Sequence, residues 1–306
     1  MYQRTIRKPV SFEGVGLHSG KHAQVTLSPA PADCGIVFRV AGHADPILAT
    51  PESVVDSYYA TTVGKNGARI QTIEHLMAAA AGLGIDNLAV EVDGVEIPAA
   101  DGSSKPFVAL LTAAGRTEQP ARRRPIVIPY PIRVGTGARW IQIVPSTTFR
   151  ISYTLDNDHP AIGTQVLSCV PTERLFVEAF APARTYGFLK DVGALRRKGL
   201  ALGGSLDNAV VVGKRGALNG LRYADEFVRH KILDLIGDLA ILGRPIVGHV
   251  IARNAGHGLN LELAVAIHRA LGLERRAVGA AIRQLRELGL AGRTDGLAPV
   301  SGLAAI

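Results

Sequence analysis

One short stretch constrains the fold of this chain more than any other: residues 229–243, RHKILDLIGDLAILG. From His230 to Gly243 the only charged residues are Lys231, Asp234 and Asp238. At about 100° per residue, His230, Asp234 and Asp238 fall within roughly 80° of one another on a helix. Ile232, Ile236, Leu239 and Ala240 take the opposite side. A helix this poor in Lys and Glu is not surface decoration. Buried carboxylates and imidazoles cost stability unless each is paired, so the narrow polar stripe calls for partners from elsewhere in the chain.

With 306 residues there is room for one large domain or two of ordinary size, each with its own core. Hydrophobic residues make up 47% and charged residues 20%, which excludes disordered and fibrous classes. Cys34 and Cys169 lie far apart without a CxxC partner, so no disulfide framework is expected and a reducing cytoplasm is. The N-terminus, MYQRTIRKPVSFEG, has no apolar run resembling a signal peptide. No stretch reaches the ~18 uninterrupted apolar residues of a membrane span. The net charge of +8 suits either nucleic acid or a small anionic substrate. Its basic runs at 122–124, 196–198 and 275–276 are not interleaved with aromatics, which favours solvated linker charge over nucleic-acid binding.

Strand-like runs at Ala23–Leu27, Gly35–Val40 and Leu88–Val92 predict a first α+β half, with a helix capped by Thr72 and ending at Gly82 or Gly84. A second helix follows through Phe107–Ala114. GRTEQPARRRP, polar and holding two prolines, is the best linker candidate. Beyond it, strands are expected over Pro125–Val134, Trp140–Val144, Phe149–Leu155 and within Arg174–Ala181. The striped helix, a strand Pro245–Ile251 and a helix His257–Leu271 complete a second half of similar make-up. Two α+β units follow, 1–120 and 125–273, with a helix and flexible end over 274–306. Residues 187–212 read as an insertion with its own short helix and strand, of the kind that often lines a binding site.

His230 and Asp234, four apart on one rigid face, form half of a zinc site or simply a local hydrogen bond. Asp238 suits a charge-balancing role beside them. In Thr72-Ile-Glu-His75, Glu74 is either a capping carboxylate or a general base, and His75 either a half-buried imidazole or a third metal ligand. Gly256-His257-Gly258 places an imidazole between small neighbours, as a turn histidine or one a substrate can approach closely. His22, His43, His159, His249 and His268 lack a partner pattern.

Together the pieces resemble a known family. They are GVGLHSG (14–20), TIEH (72–75), GLGIDN (82–87), EIP (96–98), DGS (101–103), RTYGF (184–188), GGS (203–205), EFVRHK (226–231), DLIGD (234–238) and GH (256–257). Their order and combination closely resemble the UDP-3-O-acyl-N-acetylglucosamine deacetylases, zinc amidases of lipid A biosynthesis in Gram-negative bacteria, from about residue 3 to about 272. The resemblance implies an α+β fold of two similar βααβ layered domains forming a sandwich, with the site between them and a βαβ insertion in the second domain. It implies that His75, His230 and Asp234 hold one Zn2+ per chain, ferrous iron being the alternative in the cell. Glu74 is then the general base, His257 the general acid assisted by Asp238, and Thr185 the hydroxyl at the oxyanion. Lys231 contacts the nucleotide-sugar, with His18, Gly204 and Ser205 in the same substrate-binding set. Phe188 stands at the mouth of an acyl passage formed by 187–212.

The implied partner is a UDP-linked acylated acetamido sugar, bound by a cytoplasmic monomer. No nucleic acid and no stable membrane insertion are expected, only transient contact with a membrane surface. Lys231 and Lys190 are candidates to steer the diphosphate. Tyr186, where phenylalanine is expected, and the loosely matching RRKGLALGG bear on acyl length. Two other classes make different demands. A zinc peptidase has no need of GVGLHSG or RTYGF, and a non-catalytic RNA-binding protein rests on the basic balance and the α+β halves alone.

Overall fold

Short strands, some buried nearly throughout and some on alternate residues, build two sheets of one order. In the first, Val10–Val15, His22–Pro29, Leu88–Asp93, Ile36–Val40 and Ile47–Leu48 lie side by side. Successive neighbours pair antiparallel, antiparallel, parallel and antiparallel. In the second, Ile132–Thr136, Arg139–Val144, Ile246–Arg253, Phe149–Asn157 and Gly163–Cys169 repeat that sequence of directions. Ile126–Val127 adds in parallel beside Ile246–Val247. Along Ile246–Arg253 every second residue from Ile246 to Ala252 is buried, so one face meets the core and the other is half-exposed. The computed structural model describes residues 1–273, and the helix and tail expected over 274–306 lie outside the described residues.

The helical segments are α1 (Glu74–Gly82), α2 (Lys105–Ala114), α3 (Glu173–Leu175), α4 (Leu189–Arg197), α5 (Glu226–Leu239) and α6 (His257–Ala270). The architecture is a mixed α+β fold. α1 packs on α2 in the first half, α5 on α6 in the second, and α1 and α5 pack directly on each other. One apolar core runs through both halves, joining Leu27, Phe38 and Leu76 to Tyr153, Leu233 and Val250. The two helices meet at very close range. A Cβ on Gly237 of α5 would lie 2.0 Å from the carbonyl oxygen of Glu74, so only glycine permits this approach. Tyr186–Phe188 pairs in parallel with Val210–Val212, and α4 connects them as a βαβ unit. No helix among the described residues is long and apolar enough to cross a membrane.

Several local expectations are overturned. The linker candidate is largely a strand: Arg116–Arg122 pairs antiparallel with Tyr2–Ile6 in a two-stranded ribbon. Most of its side chains face solvent, which explains their polarity, and an edge position tolerates Pro120. The strand expected within Arg174–Ala181 is helical, as α3 runs on into a wider turn over Phe176–Phe180. Thr172 caps it by accepting from the Leu175 amide at 3.2 Å, and Phe176 and Phe180 are buried at helical spacing. Pro125–Val134 is not one strand but two, interrupted around Pro129 and Pro131. Thr72 does not cap α1: it adopts φ 60°, and its hydroxyl donates instead to Glu96 Oε1 at 2.8 Å.

Candidate metal centre and acid–base pair

Helix α5 buries its polar stripe and its apolar side alike. His230 and Asp234 are 2% exposed and Asp238 0%. The stripe meets the first turn of α1, which supplies Glu74 and His75. One ligand atom each from His75, His230 and Asp234 lies within 4.8 Å of the others. Asp234 Oδ1 stands 3.2 Å from His230 Nε2 and 3.6 Å from His75 Nε2, buried and without a hydrogen-bond donor. The other oxygen, Oδ2, accepts from Lys231 Nζ at 2.8 Å. His230 Nδ1 lies 3.0 Å from the Ala183 carbonyl, which holds the proton there and turns the Nε2 lone pair toward Asp234. Burial pushes the His230 imidazole down to about 3, so it is neutral, as a ligand must be. Burial works against the charge of Asp234, but His230 and Lys231 outweigh it and hold the carboxyl well below its ordinary value. Two neutralisable imidazoles and one ionised, orphaned carboxylate oxygen are a donor set for a divalent cation.

Beside this trio sits a pair of opposed titratable groups. Burial raises the Glu74 carboxyl above its ordinary value, against the lowering influence of His257 and His75. Glu74 Oε2 accepts from the Thr61 amide at 3.0 Å, and Oε1 lies 4.0 Å from His257 Nε2. Burial alone would discharge His257, yet Asp238 and then Glu74 and Asp234 push it up to about 10. Its Nδ1 donates to Asp238 Oδ2 at 2.9 Å, leaving Nε2 4.0 Å from Asp234 Oδ2. Asp238 also accepts from Asn260 Nδ2 at 2.8 Å and from Thr61 Oγ1 at 2.6 Å. A carboxyl held up and an imidazolium held charged, both facing one cation-ready cluster, are fitted for general base and general acid.

Around these, the other sequence-predicted residues fall into two groups. Lys231 lies over the Tyr186 ring, 5.7 Å from its centroid. Thr185 is fixed by its backbone, its amide donating to Gly102 O and its carbonyl accepting from the Val210 amide, each at 2.8 Å. Next to it, Arg184 forms a buried pair with Glu226 at the start of α5, Nε to Oε1 at 2.9 Å. His18 is buried with Nδ1 unpartnered, near enough to His257 and His75 for their charges to bear on it. Phe188 packs instead near His159 and under Lys190, within the βαβ unit. Gly204 and Ser205 bond within their own loop, to Ala201 O and Asn208 Oδ1, rather than to the cluster. That loop is tied to the His18 segment, with Leu202 N donating to His18 O and Gly203 N to Leu17 O, both at 3.1 Å.

Three contributors escape a reading by spacing. Thr61 sits in a stretch with no acid or histidine pattern of its own, and Asn260, close after His257, is of a residue type that carries no such signal. Glu96 accepts from the His18 and Ser19 amides at 2.9 and 2.7 Å and from Thr72, a role that its EIP motif signals only as a marker of the family.

The model of one protein family, described as UDP-3-O-acyl N-acetylglycosamine deacetylase, matches residues 3–269. The chain belongs to this family. The deacetylase family is also matched by individual relatives, each named UDP-3-O-acyl-N-acetylglucosamine deacetylase. The Myxococcus xanthus protein is 50% identical over 265 residues, covering 85% of this chain and 84% of its own. That of Syntrophotalea carbinolica is 46% identical over 271 residues, covering 87% and 88%. That of Acidithiobacillus ferrooxidans is 48% identical over 272 residues, covering 87% and 89%. Within this deacetylase family chain, Tyr186 packs edge-on against Phe227, ring centroids 4.9 Å apart, and burial raises its phenol above the ordinary value.

Proposed function

We propose that His75, His230 and Asp234 hold one zinc ion, ferrous iron being the alternative, and that the chain uses it in amide hydrolysis. As a deacetylase of UDP-3-O-acyl-N-acetylglucosamine, the chain is an enzyme of lipid A biosynthesis. It removes the N-acetyl group at C2 of the sugar, giving acetate and UDP-3-O-acyl-glucosamine. The observation that carries the metal reading is the buried, unpartnered Oδ1 of Asp234 between two imidazoles. When bound, the cation would supply Lewis-acid polarisation and lower the pKa of water to about 7.

The chain's own residues do the rest. Glu74 accepts the proton of the attacking water, a task for which its raised carboxyl is suited. His257, charged at neutral pH, gives a proton to the departing amine, which leaves poorly otherwise. Asp238 holds that charge in place through Nδ1. The Thr185 hydroxyl faces the developing oxyanion. Lys231, which also braces Asp234, engages the nucleotide-sugar with His18, Gly204 and Ser205. The βαβ unit takes the acyl chain past Phe188.

The shared sheet order supports reading 1–120 and 125–273 as two layered βααβ domains of a sandwich. A cytoplasmic monomer that touches membrane surfaces only transiently fits this substrate. The deciding experiment measures metal per chain and follows acetate release for wild type, Glu74→Ala and His257→Ala. Both variants keep about one metal and lose most turnover. Near-full rate in either overturns the acid–base assignment.

A further inference from the structure

One buried residue outside every assigned role is bonded both to the base Glu74 and to Asp238, the carboxylate that holds the acid His257. Thr61 is 0% exposed and precedes the strand Thr62–Lys65. Its amide donates to Glu74 Oε2 at 3.0 Å, and its carbonyl accepts from the Ile73 amide at 3.3 Å. Its hydroxyl crosses to α5 and donates to Asp238 Oδ1 at 2.6 Å, a short charge-assisted bond. Two residues earlier the backbone turns through Tyr59 in the left-handed region, φ 64°, so the segment holds a shaped course rather than a slack one.

The geometry points to Thr61 as a positioning residue: its hydroxyl sets the plane of the Asp238 carboxylate that aims His257, while its amide aims Glu74. Asp238 Oδ1 is held by Thr61, and Oδ2 is left to His257 Nδ1 and Asn260. Without the hydroxyl a fully buried carboxylate oxygen loses its donor, and the carboxylate turns to recover one. The imidazole follows, because its Nδ1 bond is to the same group. Thr61 and Glu74 belong to the first half and Asp238 and His257 to the second, so one residue registers base against acid across the seam. This inference rests on the acid–base reading given above.

The test compares Thr61→Val, which keeps shape and amide but removes the hydroxyl, with Thr61→Ser, which keeps the hydroxyl. Thr61→Val is expected to retain its metal and a KM within about twofold while kcat falls about 10–100-fold, the usual cost of losing an outer orienting partner. Thr61→Ser recovers most of that loss. In an Asp238→Ala background the Val substitution costs little further, since the carboxylate that the hydroxyl holds is already gone. The downfield Nδ1–H proton signal of His257 persists in wild type and Thr61→Ser and broadens in Thr61→Val. An unchanged kcat in Thr61→Val, a Thr61→Ser no better than Val, or a parallel loss of metal and KM each overturns the inference. If His257→Ala keeps its rate, the acid–base reading itself falls; if His257→Ala is dead and Thr61→Val is not, only the role of Thr61 falls.

Discussion

Helices α1 and α5 face each other across the seam and carry their chemistry in opposite ways. α1, nine residues long, concentrates Glu74 and His75 in its first turn, and the rest of it is alanine-rich and buried. α5, fourteen residues long, spreads His230, Asp234 and Asp238 at four-residue intervals along one side. Helical period puts the α5 side chains in one row, and outside groups such as the Ala183 carbonyl and the Thr61 hydroxyl only turn them within it. Those on α1 are aimed by what lies outside the helix: the Thr61 amide on Glu74, the Ser104 hydroxyl on the His75 carbonyl, and the gap left by Gly237. A periodic helix provides a rigid rail, and an N-terminal turn is a placement that the surrounding fold must maintain.

The strongest way to break this arrangement is on the rail. Asp234→Ala is expected to drop metal content well below one per chain and turnover by about 10³-fold or more. Elemental analysis beside acetate release checks it. Next is the anchor of α5. Glu226→Ala leaves the Arg184 guanidinium largely buried without its carboxylate, and is expected to cost about 3–5 kcal/mol in denaturant unfolding. Burial opposes the Glu226 charge, but Arg184 outweighs it and holds the carboxyl below its ordinary value. Its contribution is therefore full above the ordinary carboxyl value of about 4.3 and is lost as pH falls further. The melting gap between wild type and Glu226→Ala should narrow as pH drops from about 5 toward 3.

Gly237→Ala tests the placement of α1. A methyl against the Glu74 carbonyl must part the helices, costing about 1–3 kcal/mol and displacing Glu74 from its aim. A melt together with kcat would reveal both, and loss of stability with kcat intact would show that α1 tolerates the shift. The smallest effect is expected on the opposite side of α5. Ile236 borders an apolar cavity of about 200 Å³ shared with Met77, Phe176 and Leu239. Ile236→Val should cost about 0.5–1.5 kcal/mol in the same unfolding assay and leave turnover unchanged.

How far each region was legible follows from the same contrast. α5 and α6 carry strong periodic patterns; the bounds expected for α6 match to one residue, whereas α5 starts three residues before Arg229, at Glu226, and passes into a tighter turn after Leu239. The strand Arg116–Arg122 has the composition of a linker because a solvated ribbon has no apolar face to betray it. The segment 174–181 has the pattern of a strand because a short apolar run looks alike in either conformation, and the Thr172 cap marks it as helical. Thr72 has the residue type of a cap, but Ile73 occupies that position, and Thr72, at φ 60°, lies outside the helix with its hydroxyl donating to Glu96. Thr61 had no local signal at all, since a threonine earns its role here only from the two carboxylates that tertiary packing brings to it.

By itself, then, the amino-acid order determined the stripe of α5, the kinds of side chain available for a cation, and the family to which they belong, because helical period and residue chemistry are local properties. Tertiary structure alone decided that His75 reaches the stripe, that Asp234 Oδ1 is left without a donor, and that His257 is driven up to about 10 while His230 is driven down to about 3. Burial acts on both imidazoles in the same direction, and at His257 the carboxylates facing it, Asp238 first and then Glu74 and Asp234, reverse its sign.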